Sequence, residues 1–336
     1  ALDWVASLAG YPVTSGGVFV SGGTAGNLSA LIAARWHWRW ERNGEFDRVR
    51  GIIVASVGAH SSVAQAARAM DCDVVTVPVD ERGRMTGAAT REVIDGLPTE
   101  DRSRVFAIVA TGGTTNIGVV DDIDGVGDVA ISINAWYHVD AAYGGAALCA
   151  PSRRHLFTGI EKSDSFIVDP HKWLFAPFDC CALVYRDPRM GRAAHTQHAE
   201  YLDALQTKND WNPSDYAHHL SRRPRGLPFW FSLATHGTRA YGDAVEQTLR
   251  VTEEGAALIR AADHVELVTE PELSVLVLRR KGWDHAAYEE WCDRTLMQGI
   301  AFVVPTGWMG ETCLRLCIVN PETTAADIAT VLETMK

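Results

Sequence analysis

The sequence predicts an α/β fold, a mainly parallel sheet flanked by helices, followed by a small α+β C-terminal domain. Three observations carry this. Apolar runs of strand length alternate with stretches of helical periodicity over the first two thirds of the chain. Several of those runs, 105–110 above all, are apolar at every position, as strands covered on both faces must be. From about residue 229 the elements become fewer and more mixed, which places a boundary between a large domain, 1–228, and a small one, 229–336.

Taken in order, residues 2–8 predict a short helix ending in a Gly/Pro turn, and 18–20 a short strand. Gly22-Gly23-Thr24-Ala25-Gly26 then leads into a long helix over 27–42. Residues 52–56 predict a strand that passes through Gly58-Ala59-His60 into a helix over 61–70. Further strands are predicted at 74–79, 105–110, 135–139, 165–168 and 180–185, with a helix at 93–97. Pro170 should stop the strand pattern at 168, since it offers no N–H for a ladder. Residues 195–226 read as a long polar loop holding Pro213 and Pro224, and a loop of that length in a compact domain is usually functional. In the C-terminal part, 229–260 predicts a long helix, 275–278 and 313–319 strands, and 285–297 a helix.

Composition narrows the function classes. The chain has 336 residues, 47% hydrophobic content and a formal charge of −11, which argues against a nucleic-acid surface. No apolar run is long enough to cross a bilayer, and no signal peptide is evident, although the sequence starts at Ala1 without a methionine. Seven cysteines without metal-ligand spacing fit buried thiols in a reducing cytosol.

Polar residues gather where the predicted strands end, which is where an open parallel sheet forms its ligand crevice. Gly22 to Gly26 joins a strand to a helix N-terminus, where N–H groups suit a phosphate and Thr24 adds a hydroxyl; a plain tight turn fits equally. His60 could stack on an aromatic ring, handle a proton, or simply enter a helix. Ala110-Thr111-Gly112-Gly113-Thr114-Thr115 offers hydroxyls, or is only a Gly-rich turn. Asp140 closes an apolar strand with no Lys or Arg nearby in sequence, and a protonated pyridine nitrogen would meet its need for a cation. Ala141, Ala142 and Gly144 would let a flat ring approach the backbone. Lys172 lies between two apolar runs, where burial would favour the neutral, nucleophilic amine. The other lysines are Lys162, Lys208, Lys281 and Lys336, all in polar or terminal settings. Together these parts describe a pyridoxal phosphate site. Missing ligand spacing disfavours a metal hydrolase, and the missing G-x-G-x-x-G a dehydrogenase.

On Gly22-Gly-Thr-Ala-Gly-Asn-Leu28, Ala59-His-Ser-Ser-Val63, Ala110 to Thr115, His138-Val-Asp-Ala-Ala-Tyr-Gly-Gly145, Asp164-Ser-Phe166 and Pro170-His-Lys-Trp173, the sequence resembles the group II pyridoxal-phosphate-dependent amino acid decarboxylases, the family of aromatic L-amino acid and glutamate decarboxylases. The segments occur in the family's order over nearly the whole chain. The resemblance implies a PLP-dependent transferase-like fold of type I and a cytoplasmic homodimer with shared active sites. It implies Lys172 as the Schiff-base lysine, Asp140 as the pyridinium partner and His60 as the stacking histidine. Gly23, Thr24, Thr111, Ala142, Ser165, Asp169 and His171 become cofactor contacts. Tyr201 falls at a mobile-loop tyrosine that protonates the carbanion, and Ser221 opens a segment reaching the partner subunit's phosphate.

Three departures follow. Asp169 stands where aromatic-type members commonly have Asn, so its carboxylate must be protonated, turned away or otherwise paired. Ser221 replaces a glycine. Relatives carry an N-terminal segment that helps form the substrate pocket, and this sequence begins after it. His60-Ser-Ser-Val63 and Trp173-Leu-Phe175 lean toward an aromatic substrate. The alternatives are an acidic amino acid, an oxygen-dependent aldehyde synthase of the same family, or a catalytically silent PLP-binding scaffold.

Overall fold

The computed structural model describes residues 1–42, 48–197 and 211–336. Its centre is a seven-stranded sheet of β1 (Gly16–Val20), β2 (Ile52–Ser56), β3 (Asp73–Val77), β4 (Val105–Thr111), β5 (Trp136–Asp140), β6 (Ser165–Val168) and β7 (Cys181–Tyr185). Their order is β1-β7-β6-β5-β4-β2-β3. Only β7 runs against the others, pairing antiparallel with both β1 and β6. The apolar runs become strands because both faces are covered. Val54, Ile108, Val139 and Phe166 face one core with Ile123, Val126 and Ala130. Ile53, Ala107, Val109 and Ile167 face the other with Ala30, Leu31 and Ala34 of the helix Gly23–Glu41. Period-two alternation thus buries every position of β2, β4 and β5.

A second sheet, ordered β10-β11-β9-β8, is antiparallel throughout and contains β8 (Val265–Leu267), β9 (Val275–Arg280), β10 (Pro305–Trp308) and β11 (Glu311–Cys317). The helices His285–Met297 and Ala325–Glu333 close its core around Trp291, Leu276 and Leu314. The helix Gly226–Ala261 joins the two sheets and kinks at Gly237, which has φ 78° and ψ 156°. No helix among the described residues is long and apolar enough to cross a membrane.

Two readings of the sequence need correction. Pro170 does more than stop a strand: it begins a one-turn helix, Pro170–Trp173, with Asp169 at its N-cap. Proline suits that first position because the missing N–H would have had no helical partner. The helix Ile123–Ser132 went unread because Gly125 and Gly127 weaken its local signal. Gly127 is needed there, since a side chain would meet the Tyr137 ring at 2.8 Å.

Candidate active site

The C-terminal ends of β4, β5 and β6 open into a cavity of about 280 Å³. Thr111 ends β4, Asp140 ends β5, and Asp169 follows β6 directly. The N-terminus of the helix Gly23–Glu41 and the entry to the helix Ser61–Ala69 complete the wall. Gly23, Thr24, His60, Thr111, Asp140, Ala142, Asp169, His171 and Lys172 all line this one space, so the topology brings together residues that are up to 149 positions apart (172 − 23).

Asp140 is buried, and it reaches no arginine among the described residues. Its Oδ2 accepts from Asn27 Nδ2 at 2.7 Å and its Oδ1 from the Ala142 N–H at 3.2 Å. The direct partner of Lys172 is instead Asp169: Nζ lies 2.9 Å from Asp169 Oδ2. The one-turn helix causes this, because it sets Asp169 and Lys172 three residues apart on one face. The same Asp169 oxygen accepts the Gly23 N–H at 3.2 Å, and His171 Nε2 lies 3.5 Å away. The carboxylate that departs from the family pattern is therefore paired, by the lysine.

This corrects the expectation that burial makes Lys172 a neutral amine. The side chain is 41% exposed toward the cavity. Desolvation pulls its pKa down, but the Asp169 charge and hydrogen bond, with help from Asp140, outweigh it and hold the ammonium form above its ordinary range. His171 is held low, chiefly by burial; its Nδ1 accepts the Cys180 N–H at 2.8 Å and Phe178 stacks on its ring at 4.5 Å.

His60 caps the helix Ser61–Ala69, its Nδ1 accepting from the Ser62 N–H at 3.2 Å, while its ring lines the cavity. The helix-entry reading and the site reading describe the same residue. Ser165 does not line the cavity: its hydroxyl is buried against Trp136 Nε1 at 2.9 Å and His138 Nδ1 at 2.8 Å. Ser221 is exposed and outside the cavity wall. Tyr201 lies outside the described residues. Sequence reasoning missed Ser21, Asn27, Tyr143 and Phe178 as lining residues. Asn27 carried a signal, a buried amide one helical turn beyond Gly23 on the same face of the helix.

The residues fit pyridoxal phosphate on two observations. Thr111 Oγ1 is buried without a hydrogen-bond partner among the described residues, so a hydroxyl is left free to meet the cofactor. The turn at Gly23 leaves little room for a side chain, as a Cβ would sit 3.2 Å from Ala142 Cβ and 3.4 Å from Asp169 Oδ2. Gly22, at the helix N-cap, brings no side-chain acceptor of its own.

Fold and cavity together define a pyridoxal-phosphate-dependent enzyme of the type I fold. The chain matches the model of the pyridoxal-dependent decarboxylase conserved domain over residues 1–281 and belongs to that family. It is 27% identical over 350 residues to an aromatic-L-amino-acid decarboxylase of Bacillus atrophaeus, covering 100% of this chain and 71% of the relative. It is 31% identical over 298 residues to an L-2,4-diaminobutyrate decarboxylase of Acinetobacter baumannii, covering 83% of this chain and 58% of that one. The crystal structure of Oryza sativa TDC with PLP and tryptamine superposes with a TM-score of 0.89 at 26% identity, over 99% of this chain and 74% of the other. The protein is accordingly a PLP-dependent amino acid decarboxylase.

Proposed function

We propose that the substrate is an aromatic L-amino acid, converted to its amine and carbon dioxide. One observation carries the substrate class. The cavity at Lys172 adjoins a second space of about 350 Å³ that shares His60 and Thr115 with it. Val57, Val79, Ile117 and Trp308 line that extension, with no Asp, Glu, Lys or Arg among its lining residues. A wall of these apolar residues with neutral Ser61, Thr114, Thr115 and Asn116 beside them favours an uncharged aromatic side chain, whereas an acidic or diamino side chain left there would lose hydration without a charged partner.

Bound pyridoxal phosphate supplies the electron sink that makes loss of the substrate carboxylate possible. The chain's own residues do the rest. Gly23 and Thr24 would hold the phosphate end at the helix N-terminus, and the unpartnered Thr111 hydroxyl would meet the cofactor. Asp140 would keep a proton on the ring nitrogen, Ala142 would leave space for the ring, and His60 would pack against it. Lys172, which lines the cavity, would be the residue that holds the cofactor. Carbon dioxide leaves with no proton, so one proton must be delivered to the substrate Cα; Tyr201 or His60 supplies it. Ser221 is read as a contact of a partner subunit's phosphate in a homodimer.

The test is a panel of L-amino acids assayed for released carbon dioxide and amine. Tryptophan, tyrosine, phenylalanine or dihydroxyphenylalanine should turn over at least tenfold faster by kcat/KM than glutamate or 2,4-diaminobutyrate. The reverse order overturns the substrate reading, and aldehyde with ammonia in place of amine overturns the product.

A further inference from the structure

Beneath the cavity runs a chain of buried polar groups. Asn27 Nδ2 donates to Asp140 Oδ2 at 2.7 Å, and Asn27 Oδ1 lies 2.9 Å from His138 Nε2. His138 Nδ1 lies 2.8 Å from Ser165 Oγ, which accepts from Trp136 Nε1 at 2.9 Å. Asn27 Nδ2 also donates to Ser62 Oγ at 2.8 Å, and Ser62 Oγ lies 2.8 Å from His60 Nδ1. Asn27, His138, Ser165 and Ser62 are all at most 2% exposed.

Donor and acceptor rules leave a single assignment. A carboxylate can only accept, so the Asn27 amide must turn its nitrogen to Asp140 and its oxygen to His138. That oxygen needs a donor, which places the His138 proton on Nε2. Burial holds His138 well below its ordinary pKa, so the ring is neutral and has no second proton. Nδ1 therefore accepts the Ser165 O–H, and Ser165 accepts the indole. Every bond points the same way, from Trp136 to Asp140. On the other branch the Ser62 backbone N–H can only donate, so His60 Nδ1 is an acceptor and takes the Ser62 O–H as well. A neutral His60 then carries its proton on Nε2.

We propose that Asn27 is the positioning residue of this site, stabilising the carboxylate of Asp140 through one N–H and, through Ser62, the Nε2–H tautomer of His60 with the other. The inference rests on the reading of Asp140 as partner of the cofactor's ring nitrogen. The ring's proton affinity and the proton available over its face are then set by one amide. Three other titratable groups feel the charge of Asp140: His138 on its own strand, Lys172 on the helix Pro170–Trp173 and Cys181 on β7. All three are retained in an Asn27 variant, so a change on replacing Asn27 is assignable to the amide.

Two measurements test this. In the cofactor-free protein, nitrogen-15 NMR of the histidines should find His60 and His138 as Nε2–H tautomers; Nδ1–H at either reverses its branch and overturns the inference. In protein loaded with ring-nitrogen-15 pyridoxal phosphate, the pH midpoint for losing the ring proton should fall by about one unit, a tenfold change in the equilibrium, in Asn27→Leu. Asn27→Ser, which keeps one short donor, should fall between the two and substitutes if the leucine variant does not fold. Borohydride reduction is run alongside. A pyridoxyl adduct on Lys172 in every protein with an unmoved midpoint refutes the role of Asn27, whereas no adduct on Lys172 in the unaltered chain refutes the site reading beneath it.

Discussion

Asp169 and Lys172 form the closest charge pair in the cavity, and their relation decides how the cofactor enters. The Asp169 carboxylate meets both the lysine and the Gly23 N–H at the helix end assigned to the phosphate. Incoming phosphate therefore faces a like charge, and the ammonium must lose a proton before it can attack a carbonyl. Asp169→Asn removes the like charge and eases that proton loss, so the rate of cofactor loading at pH 7, followed by visible absorbance, should rise. An unchanged or slower rate would show that Asp169 helps to hold the cofactor. Asp140→Asn should still bind cofactor but lose roughly 10²-fold or more in kcat, the scale of removing one preorganised charge; near-normal turnover would show that Asp140 serves another purpose. Lys172 was legible by elimination. Lys162 is spent on Asp124 and Asp128, and Lys281 on the Asp263 carbonyl. Its partner was not legible, because a proline turn that starts a helix reads in sequence like a strand stop.

At the scale of elements, the strand ends were the most readable feature. Uniformly apolar runs bounded by polar residues place Thr111 and Asp140 at the same edge of the sheet, and the ladder holds them opposite one another on β4 and β5. The Asn27–His138–Ser165 chain was hidden because its members sit on three different elements, and only tertiary contact pairs them. The kinked helix offers a separate check. Gly237 has φ 78° and ψ 156°, a conformation open almost only to glycine, and a Cβ there would meet nothing within 4 Å. Gly237→Ala should cost about 1–3 kcal/mol through backbone strain alone, read as a lowered denaturation midpoint. An unchanged midpoint would mean that the two halves of the helix can straighten.

Across the whole molecule, the seven-stranded sheet and the small antiparallel sheet agree with the fold class read from alternation. We propose that the chain divides into 1–228 and 229–336, which cuts the helix Gly226–Ala261 in its first turn. Buried histidines make the molecule acid-sensitive. His195, whose Nε2 lies 3.0 Å from the Ser29 carbonyl oxygen, is pushed down to about 4 by burial. Its unfolded pKa is about 6.5, so below that value the unfolded chain takes up a proton that the fold refuses, and stability falls until about pH 4. Asp121, raised to about 7 by burial, works in the opposite sense, gaining its proton more readily in the fold. His195→Gln keeps a donor for Ser29 and removes the titration. It should therefore cut the stability lost between pH 7 and pH 5 by about 2 kcal/mol, measured by urea midpoints; an equal loss in both proteins would exclude His195 as a source. The central claim is that the cavity at the ends of β4, β5 and β6 holds the cofactor on Lys172. The most direct measurement is borohydride reduction of the pyridoxal-phosphate-loaded protein followed by peptide mass mapping. One pyridoxyl adduct is expected, on the peptide containing Lys172; an adduct on Lys162 or Lys208 instead would overturn the assignment.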